Sequence, residues 1–99
     1  MLVERSDLLV KEGMEEEFAA TMRERGNPLL ATFPGVRSVS IGRGVENPDK
    51  FMLLVEWESM DAHDAFRNHP NYGPFREILA PYVKGGAMEH FTMVTDRRL

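Results

Sequence analysis

The sequence contains no cysteine and, in 99 residues, a single tryptophan. The absence of thiols excludes disulfide bonds, thiolate nucleophiles and cysteine-ligated metal centres. Long apolar runs are also lacking, since the longest, over residues 51–55, is far too short to cross a bilayer. Basic residues are outnumbered, with 12 lysines and arginines against 16 aspartates and glutamates. The net charge of -4 argues against nucleic acid as the main partner, because phosphate binding needs clustered positive charge.

Sequence motifs for cofactors are missing. Gly42-Arg43-Gly44 lacks the third glycine of a dinucleotide-binding turn, and no phosphate-binding loop or zinc motif is present. The three histidines have no spacing that indicates convergence on one metal ion. We therefore expect no cofactor and no metal. The first eleven residues carry charges where an export signal needs an apolar core, so we expect a cytoplasmic protein that is not bound to a membrane.

The length of the chain predicts one domain over residues 1–99, since 99 residues are enough for one hydrophobic core and far fewer than chains of several domains have. Segments in which apolar and polar residues alternate, bounded by glycine and proline, indicate strands, and apolar residues at i, i+3 and i+4 indicate helices. Gly26-Asn27-Pro28 is expected to end or kink the first helix, and Gly85-Gly86 to close the second helical region. The predicted strands cover residues 2–10, 36–41, 51–58 and 87–95, and the helices follow Met14, Ser59 and Pro74. Ser59 is expected to cap the N-terminus of its helix.

The order of these elements predicts an α+β fold of ferredoxin-like βαββαβ type, with an antiparallel four-stranded sheet and helices on one face. The third strand is apolar on both sides, with Phe51, Leu53, Val55 and Trp57 on one and Met52 and Leu54 on the other. A single helical layer can bury only one of them. We expect a second copy of the chain to cover the other, as a homodimer.

Several side chains are candidates for a site. His69, which the pattern places on an apolar helix face before Pro70, is expected to point into a pocket. His63, one step off that face between two aspartates, is expected to be solvated or ion-paired, and His90 could face either side of the sheet. Trp57 is expected in the core, and Tyr72 either caps the core or lines a pocket mouth.

The chain resembles a known family in Lys11-Glu12-Gly13 before an acidic helix, Pro34-Gly35-Val36, the strand that runs into Trp57-Glu58-Ser59, and residues 66–72. The resemblance, over about residues 3–94, is to the antibiotic biosynthesis monooxygenase domain, a family of dimeric α+β barrels. It implies the same fold, dimer included. Its members include cofactor-independent oxygenases that act on phenolic or anthrone-like compounds, and haem-degrading enzymes.

The resemblance disfavours haem degradation. The haem branch has a tryptophan where this chain has Phe66, a ligating histidine near Arg76 and an asparagine near Ser6, and the chain departs at all three. The oxygenase branch implies a substrate that supplies its own electrons to dioxygen after a base removes a proton. On that view the catalytic candidates are His69, Tyr72, His63 and His90, with Trp57, Phe66 and Phe75 binding a small aromatic or quinol-like substrate. A non-catalytic ligand-binding domain of the same fold is the alternative.

Overall fold

The computed structural model describes all 99 residues, and its elements follow the predicted order. Strands alternate with helical segments as strand, helix, strand, strand, helix, strand, so the predicted ferredoxin-like α+β fold is confirmed. The strands are β1 (Leu2–Val10), β2 (Val36–Arg43), β3 (Lys50–Trp57) and β4 (Val83–Thr92). The α-helices are α1 (Glu15–Thr21), α2 (Asn27–Leu30), α3 (Met60–Ala65) and α4 (Tyr72–Leu79).

The four strands form one antiparallel sheet in the order β2-β3-β1-β4. Glu4 on β1 lies opposite Val55 on β3 and His90 on β4. Directly opposed residues point to the same side of a sheet, so the three side chains share a face. The register therefore decides which residues of the two adjacent strands, β3 and β4, flank each residue of β1.

The helices cover one face of the sheet, and the core lies between them. The inward residues of β3 are Phe51, Leu53, Val55 and Trp57, each at most 5% exposed. Phe18 of α1 packs edge-on against Phe51 with ring centroids 4.9 Å apart. Such pairs add to the apolar area removed from water, and this contact ties the first helix to the most buried strand.

The first helical region bends where the sequence predicted an end or a kink. A π-helical turn over Met22–Gly26 joins α1 to α2, and Pro28 lies in the first turn of α2. Proline is tolerated there because the first amides of a helix have no acceptor within it. No helix in the structure combines the length and the apolarity needed to cross a membrane.

The second helical region is shorter than predicted. It begins as expected, with the Ser59 hydroxyl accepting the Ala62 amide at 3.1 Å. The α-helix ends at Ala65, a 3-10 turn covers Phe66–Asn68, and His69 is extended with φ -78° and ψ 142°. The residue before a proline is pushed out of the helical region by the proline ring. The prediction that His69 lies on an apolar helix face is therefore wrong.

The last strand starts earlier than predicted, at Val83, and Gly85-Gly86 lies inside it rather than in a closing turn. Gly86 is needed where β4 approaches β1, since a Cβ there would collide with the Asp7 carbonyl oxygen. Only glycine allows so close an approach of two backbones.

The other face of the sheet has no helix over it. Leu54 is half-buried there, and Met52 and Phe91 are each 38% exposed. Charged residues flank them, with Arg5 hydrogen-bonded to Glu89 at 3.0 Å. The two apolar sides predicted for β3 are thus present, one under the helices and one uncovered.

Candidate functional site

A cavity of about 430 Å³ opens between α4 and the helix-covered face of the sheet. Eleven of its seventeen lining residues are hydrophobic. Ligand sites in proteins are typically apolar clefts of this size with a few polar groups. Its apolar lining includes Leu30, Leu53, Val55, Phe66, Phe75 and Leu79.

Aromatic side chains form the helical wall of the cavity. Phe66 packs edge-on against Tyr72 with ring centroids 4.9 Å apart, and Phe75 is 6% exposed. The Tyr72 hydroxyl accepts a hydrogen bond from Arg76 Nη1 at 3.0 Å. The exposed guanidinium thus leaves the hydroxyl proton of Tyr72 free to be donated elsewhere. Tyr72, Phe66 and Phe75 all line the cavity, and their catalytic and substrate-binding roles stay predictions.

Glu4 is the buried acidic group on the sheet side of the cavity, and the sequence interpretation missed it. It is 7% exposed, and its Oε1 accepts the Trp57 indole N–H at 2.9 Å. A buried carboxylate needs donors to replace water, and Trp57 supplies one from the core. Alternation along β1 was the available signal, because Glu4 has the same parity as the inward Leu8 and Val10. Trp57 itself is fully buried and does not line the cavity.

His63 is buried, which corrects the expectation of a solvated histidine beside the apolar face. It is 2% exposed and lies 5.5 Å from the Trp57 ring and 5.3 Å from the Phe66 ring. Its Nδ1 is 3.2 Å from Asp64 Oδ1, and its Nε2 is 3.9 Å from Glu4 Oε2. The expected contact of His63 with a neighbouring aspartate is present, as the hydrogen bond with Asp64. Helix α3 is rotated about its axis relative to the predicted orientation, so His63 lies on the face that points to the sheet.

His90 faces the helices, which decides the orientation that the sequence left open. Its Nε2 lies 3.0 Å from His63 Nε2, and the two rings meet edge-on at 4.3 Å. Both nitrogens cannot donate in the same bond, so one ring accepts. Glu4, His63 and His90 thus form a cluster, from β1, α3 and β4, with one ligand-type atom of each within 4.8 Å of the others. Spacing along the sequence did not indicate this convergence.

His69 lies apart from the cluster and from the cavity lining. Its ring packs 4.9 Å from Phe33, and its Nδ1 accepts the Asn71 amide at 3.1 Å. These contacts give His69 a role in fixing the turn before α4. Its predicted catalytic role stays a prediction, with no cavity contact in its support.

The three positions that distinguish the haem branch by resemblance all line this cavity. They are Ser6, Phe66 and Arg76. None offers an imidazole, and no histidine lines the cavity. The residues present therefore do not fit a haem ligand at this place.

The sequence model of the antibiotic biosynthesis monooxygenase family matches residues 1–78. The chain belongs to this family. A family relative, the uncharacterized protein YczJ of Bacillus subtilis (strain 168), is 32% identical over 93 residues, covering 92% of this chain and 97% of YczJ.

Solved structures support the same assignment of the fold. A Bordetella bronchiseptica protein provisionally named an antibiotic biosynthesis monooxygenase is 26% identical with a TM-score of 0.87, covering 95% of this chain and 97% of that one. SnoaB of Streptomyces nogalater, described as a cofactor-independent oxygenase, was solved as a mutant form. It is 18% identical with a TM-score of 0.81, covering 96% of this chain and 94% of SnoaB. The family predicted by resemblance is confirmed.

Proposed function

We propose that this member of the antibiotic biosynthesis monooxygenase family oxidises a small aromatic, phenolic or quinol-like metabolite with dioxygen and without a bound cofactor. The observation that carries the proposal is an apolar cavity with one buried carboxylate, Glu4, on its sheet side. Such a site suits a substrate that supplies the electrons itself, since the protein then has to provide a base and exclude water.

The proposed reaction converts an activated methylene of the substrate to a carbonyl. A base removes one proton, and the resulting anion passes its electrons to dioxygen and forms a carbon–oxygen bond. The peroxide then loses its second methylene proton and breaks its O–O bond. The balance is one CH₂ group and one O₂ consumed for one C=O group and one water formed.

Glu4 is the proposed base, since it is the buried carboxylate that lines the cavity. Trp57 fixes one of its oxygens, and the other faces His63, which with His90 leads to the exposed surface. Tyr72 is proposed to donate its hydroxyl proton to a substrate oxygen while Arg76 holds the phenol from behind. A catalytic role of His63 and His90 would thus be exerted through Glu4.

The name of SnoaB, a cofactor-independent oxygenase of the same fold, supports the absence of a bound cofactor in the proposed reaction. The uncovered sheet face supports a homodimer of the type that the family resemblance implies. Exposed Met52 and Phe91 with half-buried Leu54 give that face apolar area for a second copy of the chain to bury.

Oxygen uptake with a reduced anthrone, measured with an electrode, tests the proposal. Glu4→Gln keeps the hydrogen-bonding shape but is a much weaker base, so we expect a loss of about 100-fold or more. Glu12→Gln, an exposed glutamate in the turn after β1, is the matched control and should keep full uptake. Uptake by Glu4→Gln at the parent rate would refute the role of Glu4.

His69→Ala separates this site from the one predicted by the sequence pattern. We expect this variant to retain uptake, because His69 does not line the cavity. Loss of uptake in His69→Ala with retention in Glu4→Gln would move the base to His69. A chain that binds phenols in an equilibrium titration but consumes no oxygen with any of them would be a ligand-binding domain, the alternative function.

A further inference from the structure

We infer that Glu4, His63 and His90 form a binding site for one divalent transition-metal ion of the zinc class. Two imidazoles and a carboxylate on three different elements meet with their ligand atoms within 4.8 Å of one another. This is a ligand set that zinc sites use when a fourth position is left to water. The inference does not depend on the proposed oxidation.

The distances within the cluster suit a shared ion after a small adjustment, in which the two imidazole nitrogens move slightly apart and the carboxylate moves closer. His63 Nε2 and His90 Nε2 are 3.0 Å apart, and Glu4 Oε2 is 3.9 Å from His63 Nε2. Two ligands on one zinc ion at ordinary bond lengths lie at most about 4.2 Å apart, and nearer 3.4 Å in a tetrahedron. His90 is exposed on β4, so its ring can adjust, and solvent reaches the cluster from its side.

The groups behind the three ligands are those that orient metal ligands in known sites. Asp64 Oδ1 lies 3.2 Å from His63 Nδ1 and can only accept, so a neutral His63 carries its proton on Nδ1 and directs the Nε2 lone pair at the cluster. Trp57 holds Glu4 Oε1 at 2.9 Å and leaves Oε2 toward the histidines. A carboxylate behind a ligating imidazole and a donor behind a ligating carboxylate both raise metal affinity.

Imidazole nitrogen with a single carboxylate favours Zn²⁺ and Co²⁺ over Mg²⁺ and Ca²⁺, which prefer sites made of oxygen. Binding would displace the Nε2 proton that the two histidines share and join β1, α3 and β4 through one ion. It would also occupy the lone pairs of Glu4 that the proposed oxidation uses. Base and metal ligand are therefore alternative states of the same carboxylate.

Titration of the tag-free full-length chain with Co²⁺ tests the site, with visible absorption as the readout. We expect one Co²⁺ per chain, with the intense d–d bands of four-coordinate Co²⁺, and displacement by Zn²⁺. His90→Gln should weaken binding by roughly 100-fold and Asp64→Ala by about 10-fold. His69→Gln removes a histidine outside the cluster and should bind as the parent does.

Retention of the cobalt spectrum in His90→Gln, or its loss in His69→Gln, would overturn the inference, as would the absence of any four-coordinate spectrum in the parent chain. His90 is exposed, so its replacement should not prevent folding, which circular dichroism checks. Oxygen uptake by the metal-free chain is read separately. A chain that binds cobalt but consumes no oxygen would refute only the proposed oxidation. A chain that consumes oxygen but binds no cobalt would refute only the metal site.

Discussion

The hydrogen bond between Trp57 and Glu4 is expected to contribute measurably to the stability of the fold, and Trp57→Phe tests it. The replacement removes the donor 2.9 Å from Glu4 Oε1 and leaves the 7% exposed carboxylate without it. A hydrogen bond to a charged group contributes about 1.5–3 kcal/mol, and the lost ring volume at a fully buried site adds about 1 kcal/mol. The free energy of unfolding should fall by about 3 kcal/mol, and the Tm by about 15 °C.

A double-mutant cycle separates the hydrogen bond from the loss of volume. Glu4→Leu removes the carboxylate, so Trp57→Phe in that background loses volume but no bond to a charge. We expect the replacement to destabilise the Glu4→Leu chain by about 1 kcal/mol, which leaves a coupling energy of about 2 kcal/mol. Urea unfolding followed by circular dichroism at one fixed chain concentration measures all four proteins. Equal losses in the two backgrounds, within about 0.5 kcal/mol, would refute the reasoning.

Two further predictions concern the sheet. Gly86→Ala should lower the free energy of unfolding by about 2 kcal/mol, since the new Cβ meets a carbonyl oxygen of β1. Gly85→Ala is the control and should change the free energy of unfolding by less than about 1 kcal/mol, because the space around Gly85 is open. Similar losses in both variants would contradict the close approach of the strands. Leu54→Glu puts a charge on the uncovered sheet face and should convert the proposed dimer to a monomer in analytical ultracentrifugation, while Val45→Glu, at an 88% exposed loop position, should not. A parent chain that sediments as a monomer would rule out the dimer.

Local patterns were sufficient to predict most of the fold. The alternation in β3 placed Phe51 and Val55 on one side of the strand and Leu54 on the other, because strand side chains alternate whatever the rest of the chain does. The structure then showed that the side with Phe51 and Val55 lies under the helices. Ser59 was identified as a helix cap from its residue type and position, and its hydroxyl makes that bond. The elements where prediction failed, the end of α3 and the start of β4, are those where proline or glycine has more than one structural use.

The candidate site was only partly predictable. Tyr72 was identified because it follows a helix break, where a phenol can line a pocket mouth, and Phe66 because the family resemblance implies an apolar wall at its position. Both line the cavity, as does Phe75. His69 was misplaced because the helix stops before Pro70. Glu4 was overlooked because an acidic residue near the start of a strand looks like any solvated charge until its neighbours are known.

The sequence by itself determined the order of the elements, the two apolar sides of β3 and the resemblance to a family of known fold, since each depends on residues close together in the chain or on similarity along it. Only the tertiary structure decided that Glu4, His63 and His90 meet. Their contact depends on the pairing of β1 with β4 and on the rotation of α3 above the sheet. Strand register and helix rotation are set by packing over the whole core, so no local pattern of residues encodes them.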